Sequence, residues 1–232
     1  MEKRVVAITG GFGALGGAVV EAAVAEGRGV AALDVAASPP SHLVQRAGER
    51  VAWLPGVDLL SLEGAKKAFA AVDQRLGRLD ALVNIAGGFA YERIADGGDE
   101  TWDRMFALNL KTAVNAVKAA LPYIAKSDAG RIVNVGAAPA LRAGAGFGPY
   151  AASKAGVLRL TEALAEEVKP QGITVNAVLP SIIDTAQNRA SIPKADFSRW
   201  VAPSDLAAVI LFLASDAARA VTGALIPVNG RM

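Results

Sequence analysis

Residues 4–27, RVVAITGGFGALGGAVVEAAVAEG, place a short apolar run, a glycine-rich turn and a helical pattern in direct succession. Nothing else in the chain restricts its fold as much. A strand candidate (4–9) must turn sharply into a helix (14–27, closed by Gly27). Glycines allow that tight turn, and they let backbone N–H groups come close to an anion at the positive end of the helix. The same rhythm then repeats. Further strand candidates lie at 29–34, 51–58, 79–87, 131–137, 173–180 and 224–229. LDALVNIAG (79–87) is apolar without alternation, as expected of a strand covered on both faces.

Helical patterns fill the gaps. Ser61 is placed to cap a helix with the stripe Leu62, Ala65, Phe69, Val72 and Leu76. The longest pattern, 99–125, should stop or kink near Pro122, and others occupy 150–168 and 203–219. Strands alternating with crossover-length helices imply an α/β fold, a Rossmann-type doubly wound parallel sheet of about seven strands with helices on both faces. With 53% hydrophobic residues, 232 residues suffice to bury the core of one domain, 1–232. Residues 181–202 are polar and aperiodic, and they follow a strand's carboxyl end, where ligands bind in such sheets. This segment is read as a substrate-loop insertion and a candidate lid.

Charge and composition remove several classes of function. The net charge of +2 is scattered, with no basic stripe for nucleic acid. The absence of cysteine excludes disulfide and thiolate chemistry and fits a cytoplasmic protein. No metal site is expected, and the single histidine, His42, reads as a surface loop residue. Thr9, Gly10, Gly11 and Gly13 break the N-terminal apolar run too early for a signal peptide, and no breaker-free stretch approaches the ~20 residues of a membrane span.

Around the first turn, Gly10, Phe12, Ala14, Leu15 and Gly16 are candidate cofactor-binding residues. No Gly-Lys-Ser/Thr follows, which disfavours an ATP-type phosphate loop. Asp34, at the end of the second strand, is placed to accept hydrogen bonds from adenosine ribose hydroxyls and to repel a 2′-phosphate. No basic residue lies between Gly10 and Gly16 or directly after Asp34, so NAD(H) is expected rather than NADP(H).

Tyr150 and Lys154 stand one helical turn apart and share a face. An ammonium beside a phenol lowers the phenol's pKa and makes it a usable proton donor or acceptor. Lys154 can also reach a nicotinamide ribose. Together with the preceding motifs, the pair resembles the short-chain dehydrogenase/reductase family over essentially the whole chain. The family's phosphate loop is matched by Thr9, Gly10, Ala14 and Gly16, and its adenine-contacting aspartate by Asp58 with Leu59. Its N-x-A-G strand end is matched by Asn84, Ala86 and Gly87, and its central-helix asparagine by Asn109. Pro180, Ile183 and Thr185 match the segment that meets the nicotinamide carboxamide.

The resemblance implies an NAD(H)-dependent oxidoreductase that transfers a hydride between nicotinamide and a small-molecule substrate. Tyr150 would be the acid/base, Lys154 would tune it and bind ribose, and Asn109 would hold a water in the proton path. A homo-oligomer, tetramer or dimer, is implied through pairing of the two long helices. Their small faces (Ala113, Ala116, Ala119 and Ala120; Ala151, Ala155 and Ala163) would pack closely, unless they face the sheet instead.

Two positions depart from the family pattern. Ser181 replaces the glycine after Pro180, and Ala137 stands where the family places a substrate-positioning serine. Dihydropteridine reductases are locally similar here. They carry alanine at that position and share features of Gly136-Ala137, Ala140-Leu141 and the segment Asp184 to Trp200. A quinonoid ring needs hydride and proton more than a bound carbonyl oxygen, so it is one substrate expectation. Ala137, Arg142, Asn188, Arg189 and Trp200 are the candidate substrate residues. The alternative is a catalytically impaired NAD(H)-binding sensor or scaffold that has lost the serine.

Overall fold

In the computed structural model, residues 4–232 are described. Seven strands form one sheet: β1 Val5–Thr9, β2 Gly29–Leu33, β3 Val51–Leu54, β4 Ala81–Asn84, β5 Arg131–Val135, β6 Thr174–Pro180 and β7 Leu225–Val228. Their order is β3-β2-β1-β4-β5-β6-β7, and every neighbouring pair is parallel. The chain therefore winds outward from β1 in one direction, then returns to β4 and continues in the other. That switch opens a crevice at the carboxyl ends of β1 and β4.

Helices cover both faces. On one face α1 (Ala14–Ala25), α2 (Ser41–Ala47) and α8 (Pro203–Leu213) lie on the sheet, with Val19, Val20, Leu206 and Ile210 fully buried against Ile8 and Val83. On the other, α3 (Leu62–Leu76), α5 (Thr112–Ile124) and α6 (Gly148–Val168) bury Phe69, Ala120 and Leu164 against Leu82 and Ile132. Strands sealed on both sides explain why their sequences run apolar without alternation.

Local chemistry sets the element ends. The Ser61 hydroxyl accepts from Gly64 N at 3.1 Å, capping α3 as expected, and Gly77 closes that helix at φ +73°. The third strand stops at Leu54 rather than running to 58, because Pro55 and Gly56 (φ +68°) turn the chain. The long helical pattern divides into α4 (Asp99–Met105), a π-helical turn (Phe106–Lys111) and α5. α5 runs through Pro122 and ends at Ile124, within a turn of the residue that removes an N–H donor. α8 is shorter than its 203–219 pattern and gives way to a 3₁₀ turn at Asp216–Ala218. His42 is exposed on α2 rather than in a loop.

The 181–202 segment is not structureless. It contains α7 (Ala186–Ser191), a 3₁₀ turn (Phe197–Arg199) and a bridge between Ile183 and Val201. Ala113, Ala116, Ala119 and Ala120 are buried in this single chain, and the last three lie in the core beneath the sheet. They therefore serve the sheet contact, not a close helix pairing between copies. No helix among the described residues is long and apolar enough to cross a membrane.

Candidate active site

The crevice holds a cavity of about 350 Å³ lined by the first turn, the end of β2, the segment after β3 and the end of β4. Its glycines are required by space. Gly10 has φ +66°, and a Cβ there would meet Ala86 N at 2.9 Å. A Cβ on Gly16 would lie 2.0 Å from the Gly10 carbonyl oxygen, so α1 can start this close to β1 only without a side chain. Gly13 differs, since a Cβ there would meet nothing nearer than 3.5 Å. Gly16→Ala is therefore expected to cost at least ~1–3 kcal/mol through overpacking, whereas Gly13→Ala, at the cap of α1, should stay within about 1 kcal/mol. Thermal unfolding of the two variants beside the wild type measures the contrast.

Gly10, Ala14, Leu15, Gly16, Asp34, Asp58, Leu59, Ala86 and Gly87 all line this cavity, as expected for a dinucleotide site. Asp34 stands at its rim. One carboxylate oxygen accepts from Phe12 N at 3.0 Å and the other from Ala36 N at 3.0 Å. Each oxygen keeps a further lone pair for a ribose hydroxyl. Asp58 accepts from Leu60 N at 2.9 Å, and the Leu59 carbonyl accepts from Asn115 Nδ2 at 2.9 Å, so that wall is fixed. The cradle without side chains, the helix start and the rim carboxylate together fit the phosphates and ribose of a dinucleotide.

Of the residues expected from the first turn and β4, Phe12 and Asn84 do not line the cavity. Phe12 gives its N–H to Asp34 and packs its buried ring on Trp53 at 5.8 Å, so it supports the carboxylate rather than lining the cavity. Asn84 is buried; its Nδ2 donates to Asn134 Oδ1 at 2.9 Å, and Asn134 Nδ2 donates to Thr161 Oγ1 at 2.9 Å. That chain ties β4, β5 and α6 together, and it turns Asn134 away from the substrate side. Leu108 and Thr112 line the cavity without having been expected, because a helical pattern does not reveal which turn meets the crevice.

Beyond Gly87 lie the candidate catalytic residues. Asn109 sits in the π-helical turn, a distortion frequent at functional sites. Its Oδ1 accepts from Gly88 N at 2.8 Å and its Nδ2 donates to Ser153 Oγ at 2.9 Å. Ser153 in turn donates to the Tyr150 carbonyl at 2.7 Å. Ser153 therefore joins Asn109 to the first turn of α6, a role its position three residues after Tyr150 could have suggested. Its donor and acceptor are both in use, so it does not replace a hydroxyl at 137. The buried Lys154 ammonium donates to the Val135 carbonyl at 2.8 Å. A Cβ on Gly87 would lie 2.5 Å from Asn109 Oδ1 and 3.5 Å from Lys154 Nζ, so the two polar groups converge on this glycine.

Burial pushes the Tyr150 phenol up to about 12 and the Lys154 amine down to about 8. Desolvation is the cause of both shifts, and the Lys154 ammonium gives its hydrogen bond to the strand carbonyl. Among the described residues no hydrogen bond is made to the Tyr150 hydroxyl, which leaves it available for a substrate oxygen.

On the far side, Pro180 ends β6, and Thr185 caps α7 by accepting from Asn188 N at 3.1 Å. The Thr185 O–H donor remains for another partner. Ile183 is held by its bridge to Val201. The expected substrate residues divide. Ala137 is buried beside this site, and no side-chain hydroxyl stands at its position. Arg142 is exposed on the loop before α6. The other three hold the 181–202 segment together. Asn188 Nδ2 donates to Ile183 O at 2.8 Å, and Arg189 pairs with Asp184 at 2.6 Å and covers Phe197. Trp200 is buried against Phe197 at 4.8 Å, without an open face for a substrate.

A family model described as short chain dehydrogenase matches residues 4–196. Curated relatives match along the whole chain. A 3-oxoacyl-[acyl-carrier-protein] reductase from Thermotoga maritima is 33% identical, covering 99% of this chain and 98% of the relative. A 2-(S)-hydroxypropyl-CoM dehydrogenase from Xanthobacter autotrophicus is 32% identical, covering 100% and 97%. Among solved structures, carveol dehydrogenase from Mycobacterium avium in complex with NAD aligns with a TM-score of 0.87 at 29% identity, covering 98% of this chain and 96% of that one.

Proposed function

The chain belongs to the short-chain dehydrogenase family and is an oxidoreductase of the nicotinamide-dependent kind; from that premise we propose that it transfers a hydride between NAD(H) and a small substrate, with Tyr150 as acid/base. The observation that carries this reading is the convergence of Asn109 and Lys154 on Gly87, beside a phenol with a free hydroxyl. Bound nicotinamide supplies or accepts the hydride. Everything else falls to the protein. Gly10 and Gly16 give the cofactor room at the start of α1, and Asp34 holds its ribose. Tyr150 delivers the proton to the substrate oxygen, and Lys154 carries the positive charge that steadies the phenolate left behind. Asn109 fixes the end of β4 against the first turn of α6.

NADH should bind at least about 10-fold more tightly than NADPH, because the lining of the cavity has two carboxylates, Asp34 and Asp58, and no lysine or arginine. Titration with both cofactors reads this directly. Asp34→Asn, which keeps an acceptor for Phe12 N, should narrow the gap. A wild-type preference for NADPH would contradict the assignment.

Ala137 favours one other reading, a sensor or scaffold that binds NAD(H) without turnover. Losing a donor to the reacting oxygen commonly costs about 10²–10³ in rate. A panel of ketones with a quinonoid dihydropterin separates the two, since tight NADH binding with no oxidation on any compound supports the sensor. The family likeness also makes a homo-oligomer part of this proposal, and sedimentation at micromolar protein tests it.

A further inference from the structure

The wall facing Tyr150 is aromatic. Phe89, two residues past Gly87, sets its ring edge-on to Tyr150 with centroids 5.0 Å apart at 76°. Phe147, just before α6, lies 6.5 Å from Tyr150 at 65° and 5.5 Å from Phe89. Tyr91 meets Phe147 edge-on at 6.0 Å. These rings come from two loops that are tied together. Glu92 N donates to Gly146 O at 2.9 Å, and the Thr101 hydroxyl donates to the Glu92 carboxylate at 2.6 Å. Gly146 (φ +76°) passes so close beneath Tyr91 that a Cβ would lie 2.4 Å from its ring. The wall is therefore positioned before any ligand arrives. Even so, Phe89 is 56% exposed and Tyr91 60% exposed, so the wall keeps ring surface open beside Tyr150.

Ala137, at the position where the family pattern places a serine, is buried and has no hydroxyl to offer a substrate oxygen. Asn134 and Ser153 have their polar atoms engaged in the core. None of these three positions offers the reacting group a free side-chain donor, while ring surface is plentiful. Building on the oxidoreductase reading above, we infer that the substrate carries its reacting carbonyl on a flat aromatic ring, and that Phe89 and Phe147 select it by ring contact. Aromatic pairs prefer the edge-on and offset geometries that this wall already presents, and they add affinity beyond burial of area. A ring docked there needs no hydroxyl at 137 to orient it, because two fixed rings set its plane and Tyr150 meets the oxygen at its edge.

The test compares phenyl methyl ketone with cyclohexyl methyl ketone, two substrates of similar size, with NADH. Wild type should favour the phenyl ketone in kcat/KM by on the order of 10-fold, mostly through KM, and Phe89→Leu and Phe147→Leu should each move that ratio toward 1. Binding of both ketones to the Tyr150→Phe variant loaded with NADH, followed by nicotinamide fluorescence, should show the same order without turnover. A ratio near 1 in wild type, or a ratio unmoved by both leucine variants, overturns the inference while leaving an active oxidoreductase. Sedimentation of the same variants covers the other occupant, a second copy of the chain; dissociation of an oligomer in Phe89→Leu with an unchanged ratio also overturns it. Binding of NADH with no turnover of either ketone and no ketone binding to the loaded variant overturns both the inference and the reading beneath it.

Discussion

Replacing Tyr150 by phenylalanine is expected to lower kcat by about 10²–10⁴ while leaving the NADH dissociation constant nearly unchanged. The substitution removes one oxygen and keeps the ring that packs on Phe89 and Phe147. The loss should therefore be chemical rather than structural. On the proposed mechanism, reduction of a ketone would deliver the hydride to the carbonyl carbon, move the carbonyl π pair to oxygen, and give that oxygen the Tyr150 proton; the resulting phenolate would be reprotonated from solvent. Neither Phe89 nor Phe147 can supply that proton, and Ser153 points its own to the Tyr150 carbonyl. With burial holding the phenol near 12, Tyr150 is protonated throughout the neutral range. Stopped-flow rates and NADH titrations on the variant check the two halves of this prediction separately.

The second large effect is expected at Lys154. Lys154→Met should cut kcat by about 10²–10³, the scale of losing one charged group that stabilises a developing anion, and should weaken NADH binding. The pH dependence gives a signature of its own. Burial lowers the Lys154 amine to about 8, so the ammonium is present below that pH and lost above it. Reduction by the wild type should fall as pH rises through about 8, and this limb should vanish in Lys154→Met. The stability effect has the opposite sign. Between about 8 and an unfolded value of ~10.4 the unfolded chain binds the extra proton, so this residue's contribution to stability rises with pH across that window. Tyr150 opposes it higher up. Its stabilisation is fully present below ~10 and is lost as pH rises through about 12. Unfolding of wild type and Lys154→Met at pH 7.5 and 9.5 should show the first trend only in the wild type.

The doubly wound parallel sheet could be read from the sequence because each strand is a short run without alternation and each gap is long enough for a crossover; the strand order is seen only in the structure. Strand ends were less legible. The pattern through 58 carries Val57, but Pro55 and Gly56 had already turned the chain. The cofactor cavity was visible because its requirements are local; Gly10 and Gly16 are fixed by contacts with Ala86 and Gly10 that tolerate no side chain. Residues whose roles depend on distant partners were not legible. Asn84 matched a motif yet serves a buried chain through Asn134 to Thr161, and Phe12 serves Asp34. Asn188, Arg189 and Trp200 looked like pocket residues because the polar sequence of 181–202 hides its internal bonds. The aromatic wall escaped notice for a related reason. Phe147 lies beside Tyr150 in sequence, but Phe89 is far from both, and contacts between their loops, among them Glu92 N to Gly146 O, bring it there.

Transfer of deuterium from [4,4-²H₂]NADH tests the central claim most directly. The wild type incubated with the ketone and dihydropterin panel should deliver deuterium to a carbon of at least one product, and Tyr150→Phe, loaded with the same cofactor, should deliver almost none. NADH binding in the wild type with no deuterium in any product, or equal transfer by wild type and Tyr150→Phe, would contradict a hydride-transfer enzyme built on Tyr150.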